Sequence, residues 1–299
     1  MTLTTPEHRP TAIAFMALAS SLIAGTTLLA KALGTDTLGP ALHPLQITHG
    51  RFVFAWIAIA TAVAVLRPKI NATNLKMHVL RTSFGATGIT LMFAAVAFIP
   101  VSDATAISFL NPVFAMVLAI AFLGERVGPI RWAAAAAALV GALILLRPGA
   151  STFQPAALLA LGAAIAMGIE ITVIKLLTGR EGPLTILFIN NSIGITVSTL
   201  AVLAVWAAPT PGQWAALAGI GFMMAAAQAC FIQSMRRAES SFIVPFSYAT
   251  LVFAAAYDMA AFGTVPDATS LVGAGVIIAG AAVLAWREGR APRPFAAKP

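Results

Sequence analysis

The chain has 299 residues, 60% hydrophobic and only 9% charged, with a net charge of +8 and a mean hydropathy of +0.92. An ordinary soluble domain carries about 25% charged residues, so this composition argues against a soluble enzyme or a nucleic-acid-binding protein. A single cysteine, Cys230, leaves no disulfide framework and no cysteine-ligated metal cluster.

Ten apolar runs follow one another, each near the 20 or so residues that a spanning helix needs. They predict span 1 at Thr11–Leu33, span 2 at Pro44–Leu66, span 3 at Met77–Ile99, span 4 at Ser102–Leu123 and span 5 at Pro129–Leu146. Span 6 is expected at Pro155–Leu177, span 7 at Pro183–Trp206, span 8 at Gly212–Met235, span 9 at Ser241–Phe262 and span 10 at Ala268–Arg287. Short polar breaks separate them, such as Gly34-Thr35-Asp36, Arg67-Pro68-Lys69 and Pro209-Thr210-Pro211. Backbone in lipid must satisfy its own hydrogen bonds, so the runs read as helices. Barrel strands would be about ten residues long and alternating. The first run has no small-residue cleavage site behind it and reads as a retained helix. The reading is an all-α membrane protein of ten transmembrane helices.

Lysine and arginine set the orientation. Of the 18, 15 fall on the side of the chain's start and 2, Lys31 and Arg147, on the other, while Arg51 lies inside span 2. The expectation is a multi-pass protein of the cell inner membrane with both termini cytoplasmic.

The two halves, 1–150 and 151–299, compare in order. Asp103-Ala104-Thr105-Ala106 before span 4 resembles Glu239-Ser240-Ser241-Phe242 before span 9. Gly85 falls on Gly221, Leu139-Val140-Gly141-Ala142 on Ile278-Ala279-Gly280-Ala281, Pro44 on Pro183 and Lys31 on Lys175. Five is odd, so the second five-helix repeat is inverted relative to the first, with a central cavity between them. Inverted repeats suit alternating access, because two oppositely oriented units have two similar packings, each open to one side.

At this point a family resemblance is visible. Pro44 with Arg51 in span 2, the run Pro100-Val101-Ser102-Asp103-Ala104 into span 4, Pro112, and Gly124-Glu125 before an Ala/Gly-rich fifth span resemble the drug/metabolite transporter superfamily, EamA type. The resemblance covers the whole chain. The second half departs from it: Thr264 stands near the place of the Gly-Glu glutamate, and Asn190 where Arg51 would fall. The resemblance implies a fold in which spans 5 and 10 flank eight cavity-forming spans. It also implies a function like that of bacterial inner-membrane exporters of aromatic amino acids and drugs.

Charged groups inside a bilayer are costly and face a cavity or a partner. Depth at about 1.5 Å per residue puts Arg51 and Asp258 in the outer third, where they are expected to pair. It puts Arg81 and Glu170 in the inner third. The same estimate argues against an Arg51–Glu170 pair. These groups are candidates for gating or coupling (Arg81, Glu170, Asp258), with Glu170 also a candidate proton carrier. A structural salt bridge is as good a reading of each pair.

Substrate-binding candidates are Thr27, Gln46, His49, Arg51, Thr87, Asn190, Asn191, Gln228, Ser247 and Tyr248. Arg51 or His49 and the amides of Asn190 and Asn191 suit a carboxylate. Tyr248 and Gln228 suit an ammonium. Most serines and threonines read equally as interhelical glue, and His49 as a packing histidine. Asn111-Pro112 and Pro245 are expected to kink spans 4 and 9. Gly141, Gly273, Gly275 and Gly280 are expected to let spans 5 and 10 pack closely.

No phosphate-binding loop, nucleophile elbow or zinc motif occurs, so no ATPase, enzyme, metal or cofactor is expected. The sequon Asn71-Ala72-Thr73 lies on the cytoplasmic side and is discounted. The leading expectation is a secondary transporter that exports amino acids, including aromatic ones, and related small metabolites. The alternative is a broad drug/metabolite or nucleotide-sugar carrier, proton-coupled in one version. A nucleotide-sugar carrier needs clustered cations for phosphates, and only Arg51 is deep. The partners expected are a small-molecule substrate and the lipid bilayer, with a monomer plausible and no nucleic acid.

Overall fold

The protein is described here from a computed structural model, covering residues 9–70, 74–123, 128–146, 154–178, 182–235, 237, 246–247 and 249–288. Its regular structure among these residues is helical throughout: α1 (Arg9–Gly34), α2 (Pro44–Leu66), α3 (Leu75–Val96), α4 (Val101–Ser108), α5 (Asn111–Leu123) and α6 (Pro129–Leu146). Then come α7 (Ala157–Thr178), α8 (Pro183–Val202), α9 (Pro211–Met235), α10 (Ala249–Phe262) and α11 (Ala268–Glu288). Five of them, α1, α2, α3, α8 and α9, carry stretches long and apolar enough to cross a membrane, a sixth such stretch runs through α4 and α5, and four shorter apolar helices accompany these. Large apolar side chains such as Val65, Leu66, Leu200, Leu203 and Val252 lie exposed on the bundle surface. In lipid that exposure costs nothing, whereas in water it would mark a binding or aggregation surface.

Span 4 is not one helix. α4 stops at Ser108, Phe109 and Leu110 turn, and α5 starts at Asn111. Proline 112 has no N–H to give to the Ser108 carbonyl four residues back. The chain closes the gap with short-range bonds, Phe109 N–H to Thr105 O at 3.2 Å and Leu110 N–H to Ile107 O at 3.0 Å. The expected kink is a full break. Span 7 also ends early, at Val202 rather than Trp206. Pro245 lies outside the described residues.

Helix starts are capped as their residues dictate. His43 Nδ1 accepts the Leu45 N–H ahead of α2, which has Pro44 in its first turn. Asn74 Oδ1 accepts the Met77 N–H at 3.2 Å ahead of α3. Asp267 Oδ1 accepts the Ser270 N–H at 2.8 Å ahead of α11.

The extensive helix contacts are α1 on α9, α3 on α7, α6 on α11, α2 on α8 and α9, α5 on α7, α1 on α10, and α3 on α8. Each joins a helix before residue 150 to one after it. Exchanging α1 with α7, α2 with α8, α3 with α9, α4–α5 with α10, and α6 with α11 returns the same set. The exchange is imperfect, because α3 also touches α1 and α2 without a comparable counterpart in the second half. The core between the helices is rich in small residues: Ala24, Ala30, Ala95, Ala106, Ala160 and Ala163 are fully buried. Without a hydrophobic drive between helices in lipid, close backbone approach supplies the attraction. The α6–α11 contact is the tightest instance. A Cβ on Gly141 would lie 2.7 Å from the Gly273 carbonyl oxygen, and one on Gly273 3.0 Å from that of Gly141. Gly275 faces open space, so its expected packing role is corrected. On its helix it lies about 160° from the contact face, two residues of about 100° each having a wide mismatch with it.

Candidate functional site

The end of the bundle away from Arg9 is knitted by polar contacts between the halves. Lys31, at the end of α1, places Nζ 2.5 Å from Asp258 Oδ1 of α10. Asp258 is 1% exposed and Lys31 13%. The second carboxylate oxygen of Asp258 accepts the Val101 N–H that opens α4, at 3.0 Å. Lys31 Nζ also sits 4.5 Å from the Phe262 ring centre. The expected Arg51–Asp258 pair is therefore wrong: Lys31, assigned to the helix end and left out of the pairing, is Asp258's partner. Beside it, Gln213 Nε2 donates to the Pro40 carbonyl at 2.7 Å and Thr210 Oγ1 to the Leu38 carbonyl at 3.1 Å. The loop between them turns at Gly39, whose φ of 121° suits glycine alone.

A second ion pair lies deeper and toward the opposite end. Arg81 Nε of α3 is 3.5 Å from Glu170 Oε1 of α7. Arg81 Nη1 also donates to the Ile186 carbonyl of α8 at 3.4 Å. Gly85, one turn beyond Arg81, makes room for the carboxylate: a Cβ there would stand 2.8–2.9 Å from its atoms. The Arg81–Glu170 pairing agrees with the depth estimate.

Among the described residues Arg51 forms no ion pair with Glu170, as the depth estimate expects. It is 4% exposed, its guanidinium lies over the Phe52 ring at 4.8 Å, and it is in Coulombic range of both Glu170 and Arg81. Its Nε and Nη1 atoms are buried without a hydrogen-bond partner. The Cα depths of Arg51 and Glu170 differ by about 10 Å at 1.5 Å per residue. Long side chains carry charge far from their Cα atoms, so Arg51 lies in electrostatic range of Glu170 without pairing with it. The result is one ion pair, Arg81–Glu170, with the buried Arg51 guanidinium in its electrostatic range.

Several expected binding residues are already engaged. Gln46 exchanges two hydrogen bonds with the Ala207 backbone, Nε2 to O at 2.6 Å and N–H to Oε1 at 3.1 Å, and so fastens α2 to the chain after α8. Asn190 Oδ1 accepts from Thr82 Oγ1 at 3.0 Å, a buried α3–α8 bond. Asn191 Nδ2 turns back to the Leu187 carbonyl at 2.8 Å, and Thr27 Oγ1 to the Ile23 carbonyl at 3.2 Å. The Ser247 carbonyl accepts from Ser20 Oγ at 3.4 Å. Thr87 is exposed on α3, seven residues from the equally exposed Leu80 and thus on the same stripe. Gln228 Oε1 is buried without a partner. Tyr248 lies outside the described residues. The other tyrosine, Tyr257, meets Ser21 Oγ at 2.6 Å across α10 and α1.

His49 lines a pocket of about 70 Å³ with Gln46, Val53, Phe54, Trp206 and Trp214. Its Nδ1 is 3.1 Å from Ser198 Oγ of α8, and its ring meets Trp206 edge-on. Trp56 Nε1 donates to Ser192 Oγ at 2.9 Å nearby. Sequence reasoning missed Lys31 as an ion-pair partner, Thr82, Ser198 and the Thr48–Thr90 bond of 2.9 Å. Only Lys31 carried a signal: with Arg147 it is one of two cations on its side, at a depth matching Asp258.

These features define a class: an all-helical, multi-pass membrane protein with buried charge between two interlocked halves and no metal-ligand cluster among the described residues. The chain matches the EamA-like transporter family over residues 11–147 and again over 154–286, and it belongs to that family. A riboflavin transporter of Vibrio cholerae is 29% identical over 80% of this chain and 84% of its own length. An S-adenosylmethionine uptake transporter of Rickettsia bellii is 28% identical over 85% of this chain and 88% of its own. A solved crystal structure with 21% identity superposes with a TM-score of 0.63 over 94% of this chain and 99% of that one, a likeness of fold. Family membership makes this a transporter of small molecules embedded in the membrane.

Proposed function

We propose that the protein is a secondary transporter working by alternating access. Its ten spans form two inverted five-helix halves, 1–150 and 151–299, around a central cavity, in the inner membrane with both termini cytoplasmic. The family match recurring in each half and the exchange symmetry of the helix contacts support the inverted repeat. One observation carries the mechanism. Two ion pairs at different levels, Lys31–Asp258 and Arg81–Glu170, each tie one half to the other. Rocking the halves opens one pair while the other holds, which is what alternate opening of two gates requires.

The cargo proposed is amino acids, including aromatic ones, and related small metabolites, moved outward. Gln228, with its free buried acceptor, suits a substrate ammonium. Asn190 fixes α8 against α3 and releases Thr82 when it turns to substrate. A second reading, a carrier of larger heterocyclic metabolites, is favoured by the names of the riboflavin and S-adenosylmethionine relatives. Counterflow in proteoliposomes with labelled amino acids, riboflavin and S-adenosylmethionine, with and without a pH gradient, separates the two. Alanine at Asn190 and Gln228 should lower flux without loss of folded protein in the membrane. Unchanged flux removes both residues from the site.

A further inference from the structure

We infer that the substrate carries an anionic group, a carboxylate or phosphate, that docks on Arg51 and competes with Glu170 for the guanidinium pair Arg51 and Arg81. This deepens the transporter reading above and rests on it. The first observation is charge. Arg81 of α3 pairs with Glu170 of α7, and the buried Arg51 of α2 lies in their electrostatic range, two cations against one anion. A net charge held in hydrocarbon is costly until it is matched. The second observation is hydrogen bonding. Arg51 Nε and Nη1 are buried donors without an acceptor. Each needs an acceptor, and an oxygen of a carboxylate or phosphate supplies one with the opposite charge. The third observation is that a carboxylate already stands against the neighbouring guanidinium. Glu170, 20% exposed, sits against Arg81 in space that Gly85 leaves free.

An anion arriving from the cavity completes the charge balance on Arg51. It also draws on Arg81, and so weakens the Arg81–Glu170 pair that bridges the halves. Binding and release of that gate are then one event. The energy comes from the differential fit of the anion to the two states, as population shift requires.

The test is thermal stabilisation of the purified full-length protein in detergent by matched ligand pairs. The pairs are tryptophan with tryptophanamide, and riboflavin 5′-phosphate with riboflavin, which separate a carboxylate from a phosphate. The acidic member of at least one pair should bind more tightly than its neutral-headed analogue by roughly tenfold to a hundredfold, the worth of a charge-assisted hydrogen bond. R51Q should abolish that preference, and R51K should keep it in weakened form. E170Q, which removes the competing carboxylate, should tighten the acidic ligand by about tenfold or more. Each variant is compared with its own unliganded melting point, so a loss of intrinsic stability does not obscure the answer. Equal binding of both members in both pairs, no binding by either acid, or an intact preference in R51Q overturns the proposal. Counterflow of a substrate by a protein without anion preference would leave the transporter reading standing and sink this one. Anion-dependent stabilisation without flux of any compound would do the reverse.

Discussion

Replacing Lys31 by Met tests the ion pair at the far end of the bundle. Asp258 is 1% exposed and would keep a single donor, the Val101 N–H at 3.0 Å. Removing one partner of a buried pair typically costs about 3–5 kcal/mol, because the remaining charge is left uncompensated. Lys31 is 13% exposed and lies against Phe262, which places K31M within that range through stranded Asp258. D258N retains an oxygen for Val101 and strands a lysine that reaches solvent more easily, so its cost is smaller. The double variant K31M/D258N removes both charges and should recover about 1–3 kcal/mol of the summed single losses. Reversible unfolding in mixed detergent and SDS micelles measures all four corners of the cycle. Single variants within about 0.5 kcal/mol of the parent, or losses that add within that margin, would refute the claim that these residues act as one buried unit.

G85A inserts a methyl 2.8–2.9 Å from the Glu170 carboxyl atoms, the movable end of a side chain. It should therefore cut counterflow while leaving the melting temperature nearly unchanged; a parallel fall in both would show a packing role only. G141A meets the Gly273 carbonyl oxygen at 2.7 Å, backbone that cannot step aside, and should cost about 1–3 kcal/mol by the same unfolding assay. G275A, facing open space, should stay within about 0.5 kcal/mol. Q46L deletes both bonds to Ala207 and should cost about 1–3 kcal/mol without altering which substrates compete in counterflow.

The sequence makes the helices legible because lipid leaves the backbone few choices. Pro44–Leu66 and Pro129–Leu146 match to the residue, since proline starts and polar breaks mark their ends. The break at Phe109–Leu110 was half legible: Pro112 announces a disturbed helix, but a kink and a full interruption differ only in what the neighbouring helices fill. The charged residues were legible as important and less so as partners. Arg81 and Glu170 share a depth and meet. Arg51 does not pair with Glu170, as depth implies, yet its long side chain puts its charge in their range, which counting residues does not supply. Gln46 and Asn191 looked like binding groups by type alone. Gln46 spends its oxygen and nitrogen on the Ala207 backbone, which comes within reach only when the chain is assembled, and Asn191 turns Nδ2 back onto the Leu187 carbonyl of its own helix. Lys31 enters the sequence reading only as a helix-end cation that helps set orientation, though its neighbour across the bundle is a buried carboxylate.

The inverted arrangement of the two halves is tested most directly by the side of the membrane on which the chain's ends lie. In a Cys230→Ser background, Thr2→Cys and Ala297→Cys proteins, made separately, are labelled in sealed cells and in inside-out vesicles with a membrane-impermeant maleimide. Both positions should react in inside-out vesicles and neither in intact cells. Labelling of the two from opposite faces would mean an odd number of crossings and would end the account of two halves taking turns to close.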